Sequence, residues 1–191
     1  MNVAALGTRE RLLAVARELI EEGGYGAATV AAIADRAGVA SGTLYRHFPS
    51  KEELFLEVFR EVCGAEMRAM ASAADEAGPG AVARLEAVLT TFARRALQNP
   101  RLAWALLAEP VDPLLDAERL EYRRRHAEAI ESELRAGIAA GEIPEQDMSF
   151  TAAALVGGCG EALVGPLSAA VAGEEVLAAI QTFVRRAIGT T

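Results

Sequence analysis

Hydrophobic residues recur along this chain every three or four positions and almost nowhere alternate with polar ones, the pattern of amphipathic helices. Leu12, Leu13, Ala16, Leu19 and Ile20 predict a helix from about Thr8 to Glu22, stopped by Gly23-Gly24. Val30, Ile33, Ala34 and Ala37 form a short second stripe behind Thr29, a favourable N-cap. Gly38 closes it with a turn, Val39 plugs the core, and a third short helix spans Ser41–Phe48. Ser50-Lys51-Glu52-Glu53 reads as a capping box. It opens a fourth helix carrying Leu54, Phe55, Val58, Phe59 and Val62, which runs to about Ala74.

Gly78-Pro79-Gly80 interrupts the pattern. A fifth helix follows with Leu85, Val88, Leu89, Phe92 and Ala96 on one face. Asn99-Pro100 ends it and starts a sixth, Arg101–Ala108, because Asn caps and Pro suits a first turn. The seventh is long and highly charged, from about Leu114 to Ala140. Its expected stripe is Leu120, Ala127, Ile130, Leu134 and Ile138, with Arg123 standing where a hydrophobe belongs. An eighth, rich in Ala and Gly, covers about Asp147–Leu163. The ninth starts after Gly173 with Glu174 and Glu175 and ends on Arg185 and Arg186, the charge order a helix dipole favours. The expectation is an all-α fold of about nine helices, three short ones and then six longer.

Composition narrows the function. The chain has 191 residues, 52% of them hydrophobic, enough for a sizeable core and too many for wholesale disorder. Cys63 and Cys159 lie far apart and read as free thiols of a reducing compartment. The first residues, Met1 to Gly7, lack the regions of a signal peptide. Thr151–Ala172 is apolar enough to raise a membrane span, but Glu161, glycines and Pro166 are expected to keep any run short of the ~20 residues required. The protein is therefore read as cytoplasmic, with no membrane. A formal charge of −8 argues against a diffuse binder of nucleic acid. From Thr29 to Lys51, however, the cations Arg36, Arg46 and Lys51 face only Asp35.

Enzyme chemistry lacks its ingredients. The only histidines are His47 and His126, no metal-ligand pairing or P-loop is present, and Gly157-Gly158-Cys159-Gly160 follows no strand. Cys159 has no base nearby in sequence and reads as small helix packing. The chain is expected to be no enzyme and to use neither metal nor cofactor.

The informative block runs from Thr29 to Lys51: two short helices joined at a turn glycine, with their apolar residues assigned inward. Ser41, Thr43, Tyr45, Arg46 and His47 are left outward, with lengths suited to phosphates and base edges. Gly42 lets the backbone approach closely. Tyr45 and His47 have an alternative role, packing the small domain, and Arg46 has that of a solvated surface residue. The block Ile33–Leu54 resembles the TetR family of bacterial repressors, whose pattern I-A-x-x-A-G-V-x-x-G-T-L-Y-x-H-F-x-x-K-E-E-L it matches almost without exception. The resemblance covers about the first sixty residues. It implies a helix-turn-helix domain over residues 1–50, then a helical ligand-binding and dimerisation domain over residues 51–191, connected by the fourth helix. Thr29, Ser41, Gly42, Thr43, Tyr45, Arg46, His47 and Lys51 become the DNA-binding set. Many relatives have an arginine where this chain has Ala31, which shifts readout towards Arg46.

The resemblance further implies a repressor acting as a homodimer on operator DNA and released by a small-molecule effector. Pocket candidates are Phe92, Trp104, Arg123, His126 and Glu161. Phe92 and Trp104 have core packing as their alternative, Arg123 has pairing with Glu109 or Glu161, and Glu161 has a place at the dimer edge. The Tyr122–His126 pair has a solvated face as its alternative. Gly157, Gly158, Gly160, Val176, Ile180 and Val184 are the candidate dimer seam, with a kinked core helix at Gly165-Pro166 as the other explanation for the glycines.

Overall fold

The computed structural model describes residues 6–169 and 173–190, and nine helices account for almost all of them. They are α1 (Thr8–Ala27), α2 (Val30–Arg36), α3 (Ser41–His47), α4 (Lys51–Glu76), α5 (Ala81–Gln98), α6 (Pro100–Leu107), α7 (Pro113–Ala139), α8 (Met148–Ala169) and α9 (Gly173–Ala187). Local chemistry explains many of their ends. Thr29 Oγ1 accepts the Ala32 amide at 3.1 Å and Ser50 Oγ the Glu53 amide at 3.1 Å, each satisfying an amide that a helix start leaves open. Asp112 and Asp147 do the same for α7 and α8.

The chain divides into two compact units. One holds the residues up to Val62 together with Arg101–Arg119; the other holds Cys63–Pro100 and the residues from Leu120 onward. The division therefore falls inside α4 and α7, not at residue 50, and α6 groups with the N-terminal helices.

In the first unit α1, α2 and α3 pack on one another around Leu12, Ala16, Ile20, Ile33, Leu44, Phe48 and Leu54, all almost fully buried. The helical path of α1 breaks at Gly24, where φ is +75°, a conformation that costs a residue with a Cβ. A Cβ there would also collide with the Arg101 guanidinium and the Glu109 carboxylate. Those two side chains hold the break: Arg101 donates to Gly23 O at 2.7 Å, and the Tyr25 amide donates to Glu109 Oε2 at 3.2 Å. Arg119, mostly buried, donates to the carbonyls of Ala105, Leu106 and Glu109 at 2.6–2.8 Å. Those of Ala105 and Leu106 are among the carbonyls that the end of α6 leaves open.

In the second unit α5 packs on α8 and α9, which also pack on each other. Ion pairs join the helices: Arg84 grips Glu133 through two bonds of 2.8 Å, Arg95 grips Glu66, and Arg185 meets Glu86. The stripe of α7 differs from the expected one. Leu120 is exposed, while His126, Ile130, Leu134 and Gly137 are buried and Tyr122 is half-buried. The run Arg123-Arg124-Arg125-His126 disguised the phase, because a histidine takes the buried position beside three solvated arginines. The membrane expectation also needs correcting. Met148–Leu167 has mean hydropathy 1.4 over 20 residues and is long and apolar enough to cross a membrane by length and composition, although only 28% of it is buried within the chain. Pro166 does not end α8, which continues to Ala169; the tail of the apolar stretch, 170–172, lies outside the described residues.

Candidate nucleic-acid interface

The interface is built on the end of α2. Gly38, at φ +66°, donates its amide to Asp35 O at 3.0 Å, and Val39 donates to Ala34 O at 2.9 Å. This pair of bonds is a Schellman closure, and it turns the chain into α3. Leu44, fully buried, and Phe48, 1% exposed, pin α3 from below. Ser41, Gly42, Tyr45, Arg46 and His47 are left exposed and Thr43 half-exposed. Tyr45 is 53% exposed, so neither it nor His47 packs the domain. Nothing lies within 4 Å of a Cβ built on Gly42, which leaves the helix start open to close approach.

The charges nearby are unevenly engaged. Arg36 pairs with Glu22 at 2.6 Å, and this bond holds the Glu22 carboxyl below its ordinary pKa. Lys51 is half-buried, its Nζ 4.8 Å from the centroid of the Phe55 ring. Thr29 is exposed, but its Oγ1 is engaged as the α2 cap. Ala31 is exposed and offers no side-chain donor.

The pocket candidates separate. Phe92 and His126 meet edge to face with centroids 5.8 Å apart, and Tyr122 lies 6.2 Å from the same imidazole. His126 is 3% exposed, its Nε2 has no hydrogen-bond partner among the described residues, and burial lowers its pKa to about 4. The solvated-face alternative for this pair is therefore excluded. Tyr122 is pushed up, first by burial and then by Cys63 and Glu66. Trp104 belongs to the first unit and is half-buried there, its carbonyl accepting from Ala108 and Glu109. Arg123 and Glu161 are exposed and line no interior of the unit they belong to. The Cys159 thiol is 1% exposed and pushed up to about 12 by burial, as suits packing and not nucleophilic attack.

The seam candidates need correction as well. Ile180 and Val184 are buried within their own unit, so they hold the fold and offer nothing to a second copy; Val176 is half-buried. A Cβ on Gly158 would lie 3.0 Å from the Phe183 ring, so this glycine serves α8–α9 packing inside the chain. Gly157 and Gly160 have open space before them. The surface left open on α8 and α9 instead includes Phe150, Ala154, Gly157, Ala178 and Phe183, the two rings 73% and 40% exposed. Sequence reasoning missed both aromatics. Their signal was a large ring flanking an otherwise small-residue helix.

Residues 12–58 match the family model described as bacterial regulatory proteins, tetR family. The chain is 38% identical over 120 residues to the HTH-type transcriptional repressor KstR2 of Rhodococcus jostii, a match covering 61% of this chain and 56% of that repressor. The chain thus spans little more than half the length of that relative. Among solved structures, the fatty acid degradation regulator FadR from Bacillus halodurans superposes with a TM-score of 0.81 at 20% identity, over 94% of this chain and 95% of that one. FadR from Bacillus subtilis in complex with stearoyl-CoA gives 0.77 at 23%, over 94% and 97%.

Proposed function

We propose that this chain, whose residues 12–58 match the tetR family of bacterial regulatory proteins, is a transcriptional repressor of that family that binds operator DNA as a homodimer and leaves it when a small molecule binds. One observation carries the reading. α3 is pinned inward by Leu44 and Phe48 while Ser41, Gly42, Tyr45, Arg46 and His47 stand outward together. A short helix so presented suits the major groove, with Arg46 reaching base edges and Thr43 and Tyr45 reaching phosphates. Lys51, at the start of α4, supplies a further phosphate contact.

The dimer rests on the open face of α8 and α9. An exposed apolar patch of this kind marks an interaction surface, and a two-fold axis would use the same patch on both copies. The sensor rests on His126 with Phe92 and Tyr122. A buried nitrogen without a partner calls for an explanation, and an effector that is mainly apolar with one hydrogen-bonding group would satisfy it. A structural neighbour crystallised with stearoyl-CoA is compatible with such chemistry.

The test is to let the purified protein select duplexes from a randomised pool. Enrichment of a near-palindrome, with half-sites about one helical turn (~34 Å) apart or somewhat more, is expected. A pool that emerges unenriched, with no duplex retarded in a gel, overturns the reading.

A further inference from the structure

Resting on that reading, we infer that Arg9, at the start of α1 and three residues ahead of the family match, is a DNA-phosphate anchor. Its guanidinium lies over the ring of Phe48, 5.0 Å from the centroid, and Phe48 is the residue that ends α3. The same guanidinium pairs with Glu57 of α4. Arg9 is thereby fixed against the end of the helix that presents Arg46 and His47, and its side chain remains 44% exposed. A guanidinium lying over a ring points its N–H groups outward in its own plane, and for those not taken by Glu57 a phosphate oxygen is a favourable acceptor.

Charge supply favours this role. The chain as a whole is acidic, at −8, and needs local cations wherever it meets a polyanion. Around α3 these are few: Arg36 is engaged with Glu22 and Ala31 carries no charge. Arg46 is expected at the bases, which leaves Lys51 and Arg9 to meet backbone. Both are held over aromatic rings that restrict where the charge can sit. The pair with Glu57 does not prevent the exchange, because an ion pair this exposed holds little free energy and salt screens it. The competing role is a clamp between α1 and α4 with no part in binding.

The two roles separate in the salt dependence of duplex binding, measured on the intact protein with a selected duplex and a random-sequence one. Arg9→Ala should weaken both duplexes by a similar factor and reduce the slope of log K against log salt by about 0.9 for each bound copy. Arg9→Lys should retain most of the slope. Glu57→Gln, which frees Arg9 without removing its charge, should tighten binding to the random duplex at low salt. Arg17→Ala, which removes an exposed cation of the same helix paired with Glu21, should leave the slope unchanged. A folded Arg9→Ala protein with the parental slope overturns the inference and leaves Arg9 as a clamp. Should Arg9→Ala fail to fold, unchanged or weaker binding by Glu57→Gln overturns it. A parent protein that binds neither duplex overturns the repressor reading itself.

Discussion

Arg46 and His126 carry most weight at the scale of single residues, one exposed and the other buried. Arg46→Ala should cost roughly 1–3 kcal/mol at the selected duplex and relax sequence preference; equal affinity for that duplex in a titration of the variant would remove Arg46 from base reading. His126 makes a different prediction. Its folded pKa of about 4 lies below the ordinary 6.5 because burial disfavours the imidazolium. Between those values the unfolded chain takes a proton that the folded chain refuses, so stability falls as pH drops from about 6.5 to 4 and gains nothing further from this group above it. Full protonation of the unfolded group amounts to about 3 kcal/mol, at 1.36 kcal/mol per pKa unit. His126→Leu should flatten that part of the stability profile and, by removing a buried atom with no partner, should not lower Tm at neutral pH. A parallel acid profile in chemical denaturation would rule the assignment out. His126→Leu should also weaken the response to the proposed effector.

The helices show how far local chemistry carries. Thr29, Gly38 and Ser50 act through neighbours a few residues away, so the ends of α2 and the start of α4 were legible, as was the outward row of α3 that follows from burying Leu44 and Phe48. The register of α7 was not, because it is set by α5: Phe92 and Glu133's partner Arg84 decide which residues face inward. Nor was the attachment of α6, whose last carbonyls are held by Arg119 and which is followed by Glu109, the acceptor of the Tyr25 amide. Hydrogen bonds to a buried charged group are worth ~1.5–3 kcal/mol, so Arg119→Ala should lose about 2 kcal/mol or more. For a chain of this length that lowers Tm by roughly 4–8 °C. An unchanged melting curve would show that water replaces the guanidinium at those carbonyls at no net cost.

For the whole molecule, the dimer proposed through the open face of α8 and α9 makes its own prediction. Gly157→Arg places a long cation where a Cβ meets nothing among the described residues, so the monomer should fold while the dimer fails. Sedimentation should show a monomer, and operator affinity should collapse because two half-sites are no longer read together. Monomers that still bind the full site at parental affinity would place the interface elsewhere.

The separation of these surfaces also has a genetic consequence. α3 lies wholly in one compact unit and the open face of α8 and α9 wholly in the other, so damage to one need not disturb the other. A cell carrying a normal gene and an Arg46→Ala copy should assemble mixed pairs, each with one competent reader. At equal expression about a quarter of random pairs then contain two competent readers, which makes the allele negatively dominant in a reporter strain. The Gly157→Arg allele, whose product never enters a pair, should be recessive beside the same normal gene. Putting Arg46→Ala and Gly157→Arg in one chain should turn the dominant allele recessive. If the double mutant still interferes, the poisoned complexes form through some other surface.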